Sequence, residues 1–463
     1  LPARKMNVAG LALAASLVAM SAQADSLDTA LVEAYLGNPD LKAARDELRA
    51  TDEQVPQALS GYRPTVGLQG SYTRTDGQGG LDRDAVGRGN GGRTSSFTNL
   101  SRSGSLVINQ NLYQGGGTVA SVSQAENQVR AQRASLVATE QSTLLSATQA
   151  YVNAWVARAT LDESLQNEVR LRRQLQATQD RFQVGEVART DVAQAEASLA
   201  GAHADVEAAK SNVASADATY RQVIGRAPGK LQQPSKLLLL PGSIDEAYAL
   251  ARNNPDIIQS TYQLAAAKDN IDVQFASLLP TLDFQATFGR QDDPVGSSFR
   301  WSKSSAVGLQ LTIPLYQGGA EFSRVRQAKQ RMRQSRNQLE SVNRTVEQSV
   351  GANWDNLAAQ TAQIESRRAQ VRANEIALEG VQQEALVGTR TVLDVLDAEQ
   401  ALFNSKVQLI RSQGEEVLAS YELKQAVGQL TTVALNLSVD PYDADAYYAR
   451  NRNRLVGTGK NEK

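Results

Sequence analysis

The chain has 463 residues, no cysteine, a single histidine and a formal net charge of −1. Those values exclude disulfides, thiolate chemistry, an acyl anchor on a processed cysteine, and a histidine-rich metal or Ser-His catalytic site. A near-neutral charge with no dominant basic patch also argues against nucleic acid as a partner.

The first 24 residues read as a signal peptide. Arg4 and Lys5 supply positive charge, Val8 to Ala19 is a short apolar run, and Ala22-Gln23-Ala24 has the small-x-small pattern of a cleavage site. The run is too short for a membrane helix, and nothing longer follows it, so any membrane insertion by the rest of the chain must use strands. Helical segments are expected from Ser26 to about Leu59. Next come two segments of period two, one spanning about 64–74 with Val66, Leu68, Gly70 and Tyr72 on a single face and the other spanning about 104–113. Val107 falls on the polar side of the second. Between the two strands lies a Gly/Ser/Asp-rich stretch, Thr75 to Ser103.

From Thr118 to Val184 there is neither Gly nor Pro. Val122, Val129 and Leu136 step by seven, as do Val137, Leu144 and Tyr151, so this is one coiled-coil helix, ~100 Å long at 1.5 Å per residue. A Gly-marked turn leads to a shorter return helix, Thr190 to about Ile224. It carries many alanines and His203, which reads as a surface residue because no second ligand stands at helical spacing.

The same plan then recurs. Asn38-Pro39-Asp40 to Pro64-Thr65 returns 216 positions later as Asn254-Pro255-Asp256 to Pro280-Thr281. Leu112-Tyr113-Gln114-Gly115-Gly116 returns 203 positions later as Leu315-Tyr316-Gln317-Gly318-Gly319, and that offset holds through Gly185/Gly388, Asp191/Asp394 and Gly225/Gly428. The expected organisation is a first repeat over 25–235 and a second over 236–431. The second has strands near 280–289 and 306–316, a long helix near 321–386 and a return helix near 391–427. Within that long helix Gly351 and Gly380 are expected to mark bends. A tail over 432–463, with Tyr442, Tyr447, Tyr448 and the basic Arg450 to Arg454 run, reads either as a strap on the helices or as a flexible end.

Alternation of this kind suits a soluble antiparallel sheet as well as a membrane barrel. The export signal and the Gly-rich connection favour the membrane. Four strands cannot close a barrel and open edges cannot face lipid, so three copies giving twelve strands would satisfy the backbone.

Two strings carry a resemblance: Arg181-Phe182-Gln183-Val184-Gly185 with Thr190-Asp191-Val192, and Val387-Gly388-Thr389-Arg390-Thr391-Val392-Leu393-Asp394-Val395-Leu396-Asp397-Ala398. On these strings, and on a pattern running from Asn38 to about Thr431, the chain resembles the TolC family of outer-membrane efflux and secretion ducts. The resemblance implies a mainly α fold with a membrane β-barrel. The long coiled-coil helices would form a periplasmic α-helical barrel, and a homotrimer embedded in outer-membrane lipid would complete a twelve-stranded barrel. Its implied partners are a periplasmic membrane-fusion adaptor and an inner-membrane ABC or proton-driven transporter. It further implies that Asp394 and Asp397 line the periplasmic aperture, that Asp191 and Arg390 link the closed gate, and that the turns at Gly185-Glu186 and Gly388-Thr389 touch the adaptor. Ala385 departs from the family, which has a tyrosine there in the closing network.

Asp394 and Asp397 are three apart and share a helix face, so three copies would gather six carboxylates around one constriction, attracting cations. An exported trimeric coiled-coil stalk or adhesin without a channel is the competing reading, though a stalk needs no second copy of the strands. An enzyme would need a carboxylate pair in a cleft, which long helices do not offer. No catalytic site and no cofactor are expected.

Overall fold

The computed structural model describes residues 25–80, 94–294 and 299–458. The expected signal peptide lies outside the described residues, as do the last five residues of the tail. In chain order the elements are α1 (Leu27–Gly37), α2 (Pro39–Asp52), α3 (Gln54–Leu59), β1 (Thr65–Gly80), β2 (Thr94–Gln114), α4 (Gly117–Gln183) and α5 (Arg189–Ile224). The second half adds α6 (Ile244–Ala251), α7 (Pro255–Ala276), β3 (Thr281–Asp292), β4 (Trp301–Thr312), α8 (Ala320–Leu386), α9 (Val392–Ala426) and the short α10 (Ala446–Asn451).

The repeated Asn-Pro-Asp is a helix start. Asn38 Oδ1 accepts from the backbone N–H of Asp40 at 2.8 Å, and Asn254 Oδ1 accepts from that of Asp256 at 2.9 Å, with proline at the first helical position each time. The cap at Asn38 separates α1 from α2, and that at Asn254 separates α6 from α7, while α2 and α3 part at Glu53 without a side-chain cap. Asn254 Nδ2 also donates to Ala426 O at 2.9 Å, which seats the start of α7 on the end of α9. Both long helices, α4 and α8, run 67 residues unbroken. Gly351 permits a close approach: a Cβ there would sit 2.9 Å from the Tyr248 hydroxyl of α6.

The four strands form one antiparallel sheet in the order β1-β2-β3-β4. One face is apolar across its width, in rows such as Val66–Ile108–Ala286–Val307 and Leu68–Leu106–Phe288. A register shift between Asn111 and Tyr113 puts Tyr113 opposite Leu282, on that same face. Val107 pairs with Gly67 and Thr287 on the other side. The first hairpin is longer than expected. Strand pairing continues through the Gly/Ser-rich stretch to Gly80↔Thr94, because Ser and Thr are compatible with extended backbone and Asp76, which accepts from Arg74 on its own strand at 3.0 Å, ties the two strands by accepting from Thr98 Oγ1 at 2.6 Å. At 16 and 21 residues, β1 and β2 reach roughly 50 to 70 Å, well past the ~10 residues that cross a bilayer.

The main core sits midway along the helices. Leu31, Leu41, Leu48, Leu144, Tyr151, Tyr220 and Leu430 are buried together there. The Tyr151 hydroxyl donates to Asp25 O at 2.6 Å and accepts from Gln232 N at 3.1 Å, fastening both chain segments that enter this level. The tail also packs here. Arg45 lies between the rings of Tyr35 and Tyr442, the Tyr447 hydroxyl donates to Glu53 at 2.8 Å, and Arg452 pairs with Glu126 at 2.7 Å.

Beneath this strap Asp52 is 2 % exposed, and neither carboxylate oxygen has a hydrogen-bond partner among the described residues. Burial raises its pKa to about 6, Asp445 and Glu53 reinforcing the shift and Arg133 opposing it. Because the folded chain holds this proton more tightly than the unfolded one, its contribution is full below the unfolded pKa near 4 and is lost as pH rises to about 6. Asp52→Asn is therefore expected to stabilise the protein at pH 7.5, by at most about 3 kcal/mol, and to do little at pH 4.5. Thermal unfolding followed by helix circular dichroism at the two pH values measures this.

Candidate functional site

The two hairpin tips are built alike. Gly185 (φ +79°) and Gly388 (φ +81°) take the left-handed conformation that ends each long helix. Glu186 N donates to Arg181 O at 2.9 Å, and Thr389 N to Glu384 O at 3.0 Å. A Cβ at either glycine would meet nothing within 4 Å, so both turns stand open. Phe182, Val184, Leu386 and Val387 are exposed beside them, leaving each tip apolar at its end. Arg181 closes its own turn on Glu186 at 3.1 Å.

The return helices begin three residues before the paired aspartates. Asp394 Oδ2 accepts from Thr391 N at 2.9 Å and Thr391 Oγ1 at 2.8 Å, while Thr391 Oγ1 accepts from Asp394 N at 3.2 Å. That is a capping box with aspartate in the usual glutamate place. Asp191 does half as much. Its Oδ2 accepts from Ala188 N at 3.0 Å, but Ala188 has no side-chain oxygen to return the bond. The Thr391 bonds, backbone first, hold Asp394 below the ordinary carboxylate range, with Arg390 adding to the effect. Asp397, one turn further on, is exposed.

The expected Arg390 to Asp191 link is not made within the protomer. Arg390 Nε pairs with Glu384 Oε2 at 2.8 Å, across its own turn, and Asp191 is occupied by its helix start. Ala385, where the family tyrosine would stand, is 7 % exposed and brings no polar group.

What joins the two hairpins lies higher. Leu171 of α4, Ala195 and Ala202 of α5, and Val392 and Leu396 of α9 form one small core. Next to it Arg170 Nε bonds Glu399 Oε2 at 3.0 Å and Arg170 Nη2 bonds Glu163 Oε1 at 3.0 Å. Gln382 Nε2 reaches the other Glu399 oxygen at 3.3 Å. Burial raises the Glu399 carboxyl above its usual range, and Arg170 partly offsets this. Among the described residues, Arg170–Glu399 is the one side-chain hydrogen bond between the α4/α5 hairpin and the α8/α9 hairpin. Sequence reasoning passed over it. The only signal was Glu399 itself, the repeat mate of Glu196. His203 lies on the surface, its Nδ1 3.5 Å from Glu168.

Comparison with known proteins agrees with this architecture. The chain is 34% identical to the outer membrane efflux protein BepC of Brucella suis over 95% of its own length and 93% of that protein. It is 28% identical to the outer membrane protein TolC of Escherichia coli, covering 88% of this chain and 83% of that one. In fold it matches the CmeC outer membrane channel of Campylobacter jejuni with a TM-score of 0.76 at 17% identity, over 92% of this chain and 89% of that one. The model of the outer membrane efflux protein family matches residues 30–226 and 247–429, and the chain belongs to that family.

Proposed function

We propose that three copies of this chain form one exit duct, which carries substrates out of the cell when its tips dock on a periplasmic adaptor and an inner-membrane transporter. The family resides in the Gram-negative outer membrane and extends through the periplasm. The observation that carries the trimer is the sheet. Its outer strands, β1 and β4, each have one edge without a strand partner among the described residues, while an apolar face spans all four strands. Open edges are not tolerated in lipid, and repeat symmetry pairs β4 of one copy with β1 of the next as β2 pairs with β3. Below the membrane, helices of ~100 Å are long enough to cross much of the periplasm.

In this reading Asp394 and Asp397 ring the periplasmic mouth, and the open, apolar turns at Gly185-Glu186 and Gly388-Thr389 are what an adaptor touches. Substrates move passively, driven by the pump. Replacing Asp394 and Asp397 together by Asn keeps an acceptor for the helix start while removing six charges from the trimer. The expected result in planar bilayers is a several-fold drop in cation preference. Unaltered selectivity would take these residues away from the mouth. Heat-resistant trimers that conduct no ions at all would favour the stalk or adhesin reading instead.

A further inference from the structure

The first turns of α8 are unusually basic. Arg324, Arg326, Lys329, Arg331, Arg333 and Arg336 follow Glu321 with no acid before Glu340, and these six are exposed. None has an ion pair among the described residues. The matching turns of α4 are not so charged, and their contacts indicate what this surface meets.

Within the protomer, α4 packs against α7. Ser123 Oγ and Asn127 Nδ2 bond Asp269 Oδ2 at 2.8 and 2.7 Å, Gln124 meets Asn270 at 3.5 Å, and Arg130 lies 5.8 Å from the centre of the Tyr262 ring. A Cβ on Gly115 would sit 2.7 Å from Ala276 O, and one on Gly117 2.9 Å from Ala276 Cβ. Shifting α4 by 203 and α7 by −216 gives the mates of these pairs, which fall on α8 and α2/α3. Those mates stand open. Gly318, mate of Gly115, meets nothing within 4 Å. Ala50 and Ser60, mates of the buried Ala266 and Ala276, are exposed. Both halves of the repeated contact therefore exist, but no intramolecular partner joins them.

We infer that the basic flank of α8 docks on the acidic flank of α2 in a second copy of this chain, pairing Arg333 with Asp46 and Arg326 with Glu53. The inference rests on the trimeric reading and adds its register and charge code. Ser123–Asp269 becomes Arg326–Glu53, and Arg130–Tyr262 becomes Arg333–Asp46, so two contacts that each join a charged to a neutral group inside the protomer are replaced between protomers by pairs of opposite charge. The Asp46 side chain is 73% exposed and pairs with Arg49 on its own helix at 3.3 Å. Glu53 accepts from the Tyr447 hydroxyl through one oxygen, so the C-terminal strap restrains that carboxylate. Charge matching at the rim of an interface sets register and suppresses wrong pairings more than it adds affinity.

The mates of Gly117 and Ala276 are Ala320 and Ser60; an ideal Cβ on Gly117 lies 2.9 Å from Ala276 Cβ, so a small outward shift at the junction brings the mates' Cβ atoms to the ~3.5–4.5 Å of a disulfide. The natural chain has no cysteine, so Ala320→Cys combined with Ser60→Cys is unambiguous. In the purified full chain the pair is expected to give disulfide-linked dimers and trimers on non-reducing denaturing gels, and each single variant none. Trimers by size that fail to cross-link overturn this docking but spare the trimer; monomers by size overturn both. Separately, Arg333→Glu is expected to lower the trimer's dissociation temperature by several degrees at low salt, with the difference shrinking at high salt. Adding Asp46→Arg should restore it. No rescue by the swapped pair overturns the Arg333–Asp46 assignment.

Discussion

Gly428→Ala is expected to cost about 3 kcal/mol or more, while the same change at its repeat mate Gly225 costs about 1 kcal/mol. Both glycines follow return helices and both have positive φ, +77° and +97°. They differ in what a side chain would meet. At Gly428 a Cβ would lie 2.8 Å from Asn254 Cα and 3.0 Å from Pro255 Cδ, atoms that cannot swing away. Moving them would also break the buried Asn254 to Ala426 bond that joins α7 to α9. At Gly225 nothing lies within 4 Å, and only the backbone penalty remains. Thermal unfolding of the two variants side by side decides the matter; equal losses would mean that the α7–α9 junction is looser than described.

Arg170→Ala is the second large effect, expected to destabilise by about 3 kcal/mol at neutral pH. The side chains left behind, Glu399 and Glu163, are 6% and 11% exposed, and their charge would be buried without its cation. Burial already raises the Glu399 pKa, and removing Arg170 would raise it further. A folded-state carboxyl with a raised pKa is most stabilising when protonated, so the penalty should shrink as pH falls towards 5. Arg170→Leu combined with Glu399→Leu should recover much of the loss. On the duct reading, Arg170→Ala also removes the polar tie between the two hairpins, leaving only their apolar contact, and larger or longer openings in single-channel records are the expected functional counterpart. A penalty that does not vary with pH would show that Glu399 is not the group left stranded.

Much of the fold was legible from residue spacing because the features concerned are local. A heptad seam within a stretch free of Gly and Pro, Thr118 to Val184, makes a helix whatever surrounds it. Asn-Pro-Asp starts a helix by its own hydrogen bonds, and a glycine at a left-handed position ends one. Duplication then located each feature twice. Strand length was misjudged because composition alone marks Ser- and Gly-rich stretches as loop, whereas Gly77 to Gly80 are extended through pairing with Ser95 to Phe97 and Thr94, residues distant in sequence.

The candidate site divided along the same line. From its sequence alone this protein is a duplicated chain of long helices and alternating strands with two acidic, glycine-marked tips. Tertiary structure decided which charges meet. Within the protomer Arg390 pairs with Glu384, and Asp394 bonds its own helix start. Glu196 and Glu399 occupy equivalent places in the repeat, yet one is exposed and the other buried against Arg170, because the repeat mate of Arg170 is Ala373. Long side chains take their partners from whatever the packing of separate hairpins brings within ~3 Å, and no spacing along the chain encodes that distance.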